Sequence, residues 1–354
     1  MNQSLVRRLL LTSKKKKFWG LLPSSLPADA IGELAKQQEG LGLEGTFAVQ
    51  VYGPPFAPLA AAACPTSSIK LATGIAIALT RSPFETAMAA LELDHMTEGR
   101  FILGLGASVK SWTNGFFGMP YSKPVSQLRE AVDVIRKVTK HAHLGSLENH
   151  IGTYYELDFS ELQPTIPPLR ENIPIWISAL RGPMTRLGAE IGDGIIGHPI
   201  WTIDWLRTQI KDEIIRGLNN SGRQRSEIEI NCWFWTTPNP DRKESVEDAR
   251  AVVAFYAGIE QYEPFFEAHG FGEICKQLQE GVKNGSYLEV AHLIPDDMAS
   301  TFVLTGTPDE VKKRLEPAWE IADSVTLVPP ALSLPPEKTL AYTQTIGETF
   351  FNAP

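Results

Sequence analysis

Few side chains in this sequence have the chemistry of a reaction centre, and they lie far apart. His198 follows the short apolar run Gly194–Ile196 after a single glycine, Gly197. An unperturbed imidazole titrates near pH 6.5, which suits a general acid, a general base or a phosphate partner. A solitary histidine also serves as a plain structural residue. Arg181-Gly182 precedes Pro183, a proline placed as at a helix start. The first amides of that helix, its positive end and the Arg181 guanidinium together can hold a phosphate. Lys110 is the charged residue near the end of the apolar run Phe101–Gly106. It is either a solvated loop lysine or a ligand contact. Trp112, Phe116 and Phe117 either cover a site or simply pack. His141-x-His143 has no acid or cysteine at metal-ligand spacing, so it reads as a solvated segment and no metal site is expected.

Other motifs are missing. Gly104-Leu105-Gly106-Ala107-Ser108-Val109 has Val109 where a dinucleotide fingerprint needs its third glycine. No GxxxxGK[ST], HExxH or GxSxG occurs. Cys64, Cys232 and Cys275 are an odd number without CxxC spacing, which points to a reducing, cytoplasmic compartment rather than a disulfide framework.

The elements that must position these residues alternate. Strand-like runs are expected at Phe18–Leu22, Thr46–Val51, Ile69–Ile77, Phe101–Gly106, Ile175–Ser178, Gly194–Ile196, Ile228–Thr236 and Ser324–Val328. Several are almost wholly apolar, as in sheets covered on both faces. Helical patterns fall between them. Ser82-Pro83-Phe84-Glu85 and Thr307-Pro308-Asp309-Glu310 both have the form of a capping box with proline in the first turn. Two stretches break the alternation. Residues 141–172 read as an excursion with a hairpin around Tyr154–Phe159, and 244–303 as a helical insertion before the last strand. Eight strands, each followed by a helix, predict an α/β fold, a closed (βα)8 TIM barrel spanning 17–354 as one domain.

The 354 residues are 43% hydrophobic and 21% charged, ordinary for a globular chain and wrong for a disordered one. A net charge of −8 argues against nucleic-acid binding. No apolar run approaches the ~20 residues of a membrane span. Arg7, Arg8 and Lys14 to Lys17 crowd six positive charges into the start, so residues 1–16 are expected to be a flexible basic extension.

Several segments, in order, resemble the bacterial-luciferase-like superfamily. They are Leu71–Pro83, Gly99-Arg100-Phe101-Ile102-Leu103-Gly104-Leu105-Gly106, Leu128-Arg129-Glu130-Ala131-Val132, Pro174–Ala179, Asp193–Ile196 and Thr305–Val311. The resemblance runs from about residue 18 to 328. It implies a flavin-type ring bound at the barrel mouth, with coenzyme F-420, a deazaflavin, favoured and FMN as the alternative. The Ile-Ala-Ile-Ala strand and the late helical insertion look closer to the deazaflavin-dependent oxidoreductases. It also implies a non-prolyl cis peptide at Gly74–Ile75, a bulge behind the ring.

In such barrels the site lies at the carboxyl ends of the strands. That position selects Gln50, Gly74, Ile75, Ala107, Ser108, Lys110, Ser178, Ala179, Arg181 and Gly182 for cofactor binding and His198 for catalysis. Lys110 would then contact ribityl or phosphate groups. Relatives that act on alcohols often place a histidine or aspartate after strand two and a glutamate after strand four. Here Val49-Gln50 and Val109 stand there and supply no base. The expected function is hydride transfer between this cofactor and a small organic substrate. The alternatives are an FMN-dependent monooxygenase using O₂ with a separate flavin reductase, and a non-catalytic flavin-binding barrel. A homodimer is compatible with all three.

Overall fold

Eight parallel strands close on themselves: β1 (Lys17–Leu22), β2 (Gly45–Ala48), β3 (Lys70–Thr73), β4 (Phe101–Gly106), β5 (Ile175–Ala179), β6 (Gly194–Gly197), β7 (Glu229–Pro238) and β8 (Ser324–Val328). Each pairs with the next in sequence, and β8 pairs back to β1, with Lys17 beside Ser324. The computed structural model describes residues 16–23 and 26–351. The expected (βα)8 barrel is therefore the fold. Of the basic extension, residues 1–15 lie outside the described residues. Its last member, Lys16, pairs with Glu316 at 2.6 Å.

Strand residues alternate between a packed interior and a helix-covered exterior. Trp19, Phe47, Trp176 and Trp233 meet inside, with ring centroids 4.5 Å apart for Trp19–Phe47 and 5.0 Å for Phe47–Trp233. Gly45 has to be glycine, because a Cβ there would lie 2.4 Å from the Trp19 ring. Towards the amino ends of the strands the filling becomes polar but stays satisfied. Thr326 donates to Asn231 Oδ1 at 3.0 Å, Asn231 donates to Ser324 at 2.9 Å, and Ser324 donates to Glu229 at 3.1 Å.

The third strand is shorter than its apolar run suggests. It stops at Thr73, the Gly74–Ile75 peptide is cis, and Ala76–Ile77 resumes pairing with Leu105–Gly106. The region expected to be helical before β8 contains the helices Arg242–Ala257, Gly272–Asn284 and Asp296–Phe302. Immediately after them comes an unforeseen strand, Val303–Gly306. It pairs in parallel with Trp235–Pro238, the distal half of β7. The hairpin in the excursion is His150–Ile151 against Glu156–Leu157, a few residues earlier than expected. Its turn forms where the Glu130 carboxylate accepts the amides of Thr153, Tyr154 and Tyr155. The carboxylate is favoured by these donors, and its pKa is lowered although partial burial opposes this.

The two proline-bearing helix starts differ. Thr307 and Glu310 form both arms of the box, with Thr307 N donating to Glu310 at 2.9 Å and Glu310 N donating to Thr307 Oγ1 at 3.4 Å. At Ser82 only one arm forms, from Phe84 N at 3.2 Å, because Glu85 faces Arg81 instead. Among the described residues, no helix is long and apolar enough to cross a membrane. No group of three or more His, Cys, Asp or Glu side chains among them could hold a metal ion.

Candidate active site

The carboxyl ends of β3, β4 and β5 bring two of the expected residues, Ile75 and Ser178, together at Gly106. Ile75 projects over Gly106, where an added Cβ would lie 2.5 Å from Ile75 Cδ1 and 3.3 Å from Ser178 Cβ. Ile75, Gly106 and Ser178 thus form one apolar ledge just inside the rim. The glycine lets the aliphatic side chain lie flat there. Gly74 is held by packing, since its Cβ would sit 2.7 Å from the Phe47 ring.

Gln50 is used differently from a simple ligand contact. It is buried, and its side-chain oxygen accepts from Ile77 N at 2.9 Å and from Arg81 Nη2 at 3.3 Å. This clamps the chain that follows the Gly74–Ile75 bulge. The β4 loop is also tied down. Ala107 is buried and Ser108 adopts φ +59°. The Ser108 carbonyl accepts from the Tyr121 hydroxyl at 3.3 Å. Lys110 opens the short helix Lys110–Asn114 with its side chain exposed, and its amide donates to Gln261 Oε1 at 2.9 Å. Gln261 Nε2 donates in turn to the Tyr121 hydroxyl at 3.0 Å. Trp112 and Phe116 pack with the exposed Tyr52, ring centroids 6.3 and 5.7 Å from it, as an aromatic flap at the rim.

Ala179 and His198 join β5 to β6, the Ala179 carbonyl accepting from His198 N at 3.1 Å. Arg181 is the N-cap of the helix Gly182–Ile191, and its carbonyl accepts the amides of Met184 and Thr185 at 3.1 Å each. That helix start is not open to an anion in the manner expected. Glu213 approaches Gly182 so closely that a Cβ there would lie 3.3 Å from a carboxylate oxygen. Glu213 is itself paired with Arg186 and Arg216 at 2.7 Å. The Arg181 guanidinium, by contrast, has no carboxylate partner among the described residues, and its charge is felt by Tyr121 and Tyr262. It is the cation of the rim.

His198 is half-buried between two tyrosine rings, 5.1 Å from Tyr256 and 5.4 Å from Tyr262. Burial pushes its imidazole down to about 3. The ring is therefore neutral near pH 7. Its Nδ1 accepts from Ile200 N at 3.4 Å, so the ring proton sits on Nε2, 3.4 Å from the Tyr262 hydroxyl. The expected titration between pH 5 and 8 does not fit this setting. What the ring offers is a fixed N–H donor that orients Tyr262. Burial also pushes both tyrosine hydroxyls up, so each stays protonated. Tyr256, Gln261 and Tyr262 were not among the expected site residues. They come from the helical insertion, and no local motif marks them as reaching the mouth.

The segments immediately following β2, β4, β5 and β6 carry no Asp or Glu. The mouth therefore combines an apolar ledge, a free guanidinium and neutral hydroxyl and imidazole donors. It can seat a flat ring and hold an anionic tail, and it contains no carboxylate base at these strand ends.

Comparison with known proteins bears on the family and the fold. The family of luciferase-like monooxygenases matches residues 11–322. A Mycobacterium tuberculosis protein that carries a provisional name as a coenzyme F-420-dependent oxidoreductase is 29% identical, covering 92% of this chain and 96% of its own. The solved coenzyme F-420-dependent tetrahydromethanopterin reductase of Methanopyrus kandleri superposes with a TM-score of 0.79 at 24% identity, covering 94% and 98%. The oxygenating constituent of 3,6-diketocamphane monooxygenase of Pseudomonas putida, solved with FMN, superposes with a TM-score of 0.63 at 16% identity, again covering 94% and 98%. Both structures share the fold.

Proposed function

The chain belongs to the luciferase-like monooxygenase family, and from that premise we propose that it is an oxidoreductase passing hydride between coenzyme F-420 and a small organic substrate. The observation that carries this reading is the ledge of Ile75 over Gly106 and Ser178, with the unpaired Arg181 at the rim. A planar ring fits against the ledge, and its phosphate-bearing tail fits the guanidinium. When bound, a deazaflavin supplies the hydride chemistry. The protein's own part is to bind, orient and exclude water. Ile75 would back one face of a bound ring and leave the other to substrate. Tyr262, oriented by the His198 N–H, presents a neutral hydroxyl at the mouth. Trp112 and Phe116 close over it with Tyr52. The name of the M. tuberculosis relative supports F-420 over FMN. Three free cysteines, two of them buried, fit a reducing cytoplasm.

Titration of purified protein with F-420 and with FMN, followed by fluorescence quenching, tests the reading. Tighter binding of F-420 is expected. Micromolar FMN binding without detectable F-420 binding would turn the reading towards an FMN-dependent monooxygenase fed by a separate flavin reductase. Binding of either ring without turnover of any reductant–substrate pair would leave a flavin carrier.

A further inference from the structure

The loop after β4 has a shape that its own residues do not secure. Ser108 adopts φ +59°, a left-handed conformation that a side chain disfavours and that persists only where its neighbours enforce it. The helix Lys110–Asn114 begins after Val109, whose side chain has no acceptor to cap it. Both needs are met from outside the loop. The Tyr121 hydroxyl donates to the Ser108 carbonyl at 3.3 Å, and the Lys110 amide donates to Gln261 Oε1 at 2.9 Å. Gln261 Nε2 donates to the Tyr121 oxygen at 3.0 Å, so the two ends of this one side chain hold both props.

Gln261 lies 151 residues further along the chain than the amide it caps. It belongs to the short turn Glu260–Tyr262 of the helical insertion. The next residue of that turn, Tyr262, meets His198 Nε2 at 3.4 Å, beyond the end of β6. One turn therefore reaches the loops after β4 and β6, and β5 with Arg181 at its end runs between those strands. The Arg181 charge is felt at Tyr121 and at Tyr262, so Gln261 stands in the same corner of the mouth as the unpaired guanidinium. Burial pushes the Tyr121 hydroxyl up, against the Gln261 bond and the Arg181 charge, so it keeps the proton it donates to Ser108.

We propose that Gln261 is a positioning residue: it caps the helix after β4 and holds Tyr121 against Ser108, and so keeps the 107–110 loop in the shape that receives the cofactor. The inference rests on the proposed ring-binding mouth and adds that the insertion sets cofactor affinity through this one side chain.

Gln261→Met keeps the length of the side chain and removes both hydrogen-bonding ends. Three measurements on the full chain are compared with the parent: hydrogen exchange at the Lys110 amide, the melting temperature, and fluorescence titration with whichever of F-420 and FMN the parent binds. Exchange at Lys110 should quicken about tenfold or more. The Kd should rise about five- to tenfold, the worth of one or two such bonds, while the melting temperature moves little. Tyr121→Phe keeps the ring and cuts the same chain of bonds at its other link, so it should weaken binding too. The double variant should bind within about twofold of the weaker single one, because linked groups do not add. Faster exchange with an unchanged Kd would make Gln261 a merely structural contact and overturn the proposal. Unchanged exchange at Lys110, or losses that add in the double variant, would overturn it equally. Should Gln261→Met not fold, Tyr121→Phe decides by whether its Kd rises. A parent that binds FMN and not F-420 refutes the cofactor reading and leaves this test standing, whereas a parent that binds neither ring overturns both.

Discussion

Acidification tests the setting of His198 directly. Enclosed by Tyr256 and Tyr262, the imidazole is pushed from its ordinary 6.5 to about 3 in the folded state. Unfolding restores the ordinary value, so below pH 6.5 the unfolded chain binds a proton that the folded chain refuses. The contribution of this histidine is therefore fully present above about pH 6.5 and is lost progressively as pH falls towards 3. Between neutral pH and pH 5 the difference in proton binding amounts to about 2 kcal/mol. The ring keeps some contact with solvent, which trims the expected loss to about 1–2 kcal/mol. The measurement is a pair of urea unfolding curves, near pH 7.5 and near pH 5, for the parent and for His198→Gln. The absolute stability of the variant does not matter. Other groups titrate alike in both proteins and cancel in the double difference. The parent should lose about 1–2 kcal/mol more than the variant over this interval. The imidazole signal that disappears in the variant's NMR spectrum should stay fixed through pH 5 in the parent. Equal pH slopes, or a His198 signal titrating near 6.5, would refute the reasoning.

Three further outcomes follow from particular contacts. Asp94 is only 1% exposed and is held by Arg170 through bonds of 2.5 and 3.1 Å, so Arg170→Ala should cost about 3 kcal/mol in chemical denaturation by stranding a buried carboxylate. Adding Asp94→Asn should recover part of that loss, and a double variant no more stable than Arg170→Ala would count against the assignment. A Cβ on Gly104 would lie 1.9 Å from the Thr73 carbonyl oxygen, backbone that cannot swing away, so Gly104→Ala should destabilise by about 3 kcal/mol; an unchanged melting curve would show that the barrel yields there. Arg181→Gln should leave stability unchanged, since no carboxylate loses a partner, yet weaken F-420 binding about tenfold or more in the fluorescence titration; equal affinity would remove Arg181 from the proposed site.

Much of the barrel was legible because its strands are covered on both faces and so read as unbroken apolar runs. Ile102 and Leu103, side by side in β4, face opposite ways and are both buried. The same property hid the details. A run that is apolar throughout gives no sign of where pairing stops, so the break at Gly74–Ile75 could not be located by periodicity, only by resemblance. Val303–Gly306 follows a helical stretch and has four residues, too few for a period to show. The Thr307 box was readable because both partners lie within one turn. Ser82 looked the same in sequence, but Glu85 found Arg81 before the amide. At the mouth, Ser178, Arg181 and His198 were legible from their places after strands, and Ile75 from the resemblance. Tyr256, Gln261 and Tyr262 were not, because their relevance depends on how the insertion folds back over β4 and β6.

The aromatic filling of the barrel has a consequence for traffic. Trp19, Phe47, Trp176 and Trp233 occupy the axis, and the Asn231, Ser324 and Thr326 network lies beyond them, so nothing passes through the barrel from its far end. Whatever rests on the Ile75 ledge stands behind whatever follows it in, and the later arrival has to leave before the earlier one can. For a ring seated on the Ile75 ledge as proposed, depth would set the order of entry and exit, with the Tyr52, Trp112 and Phe116 flap at the rim.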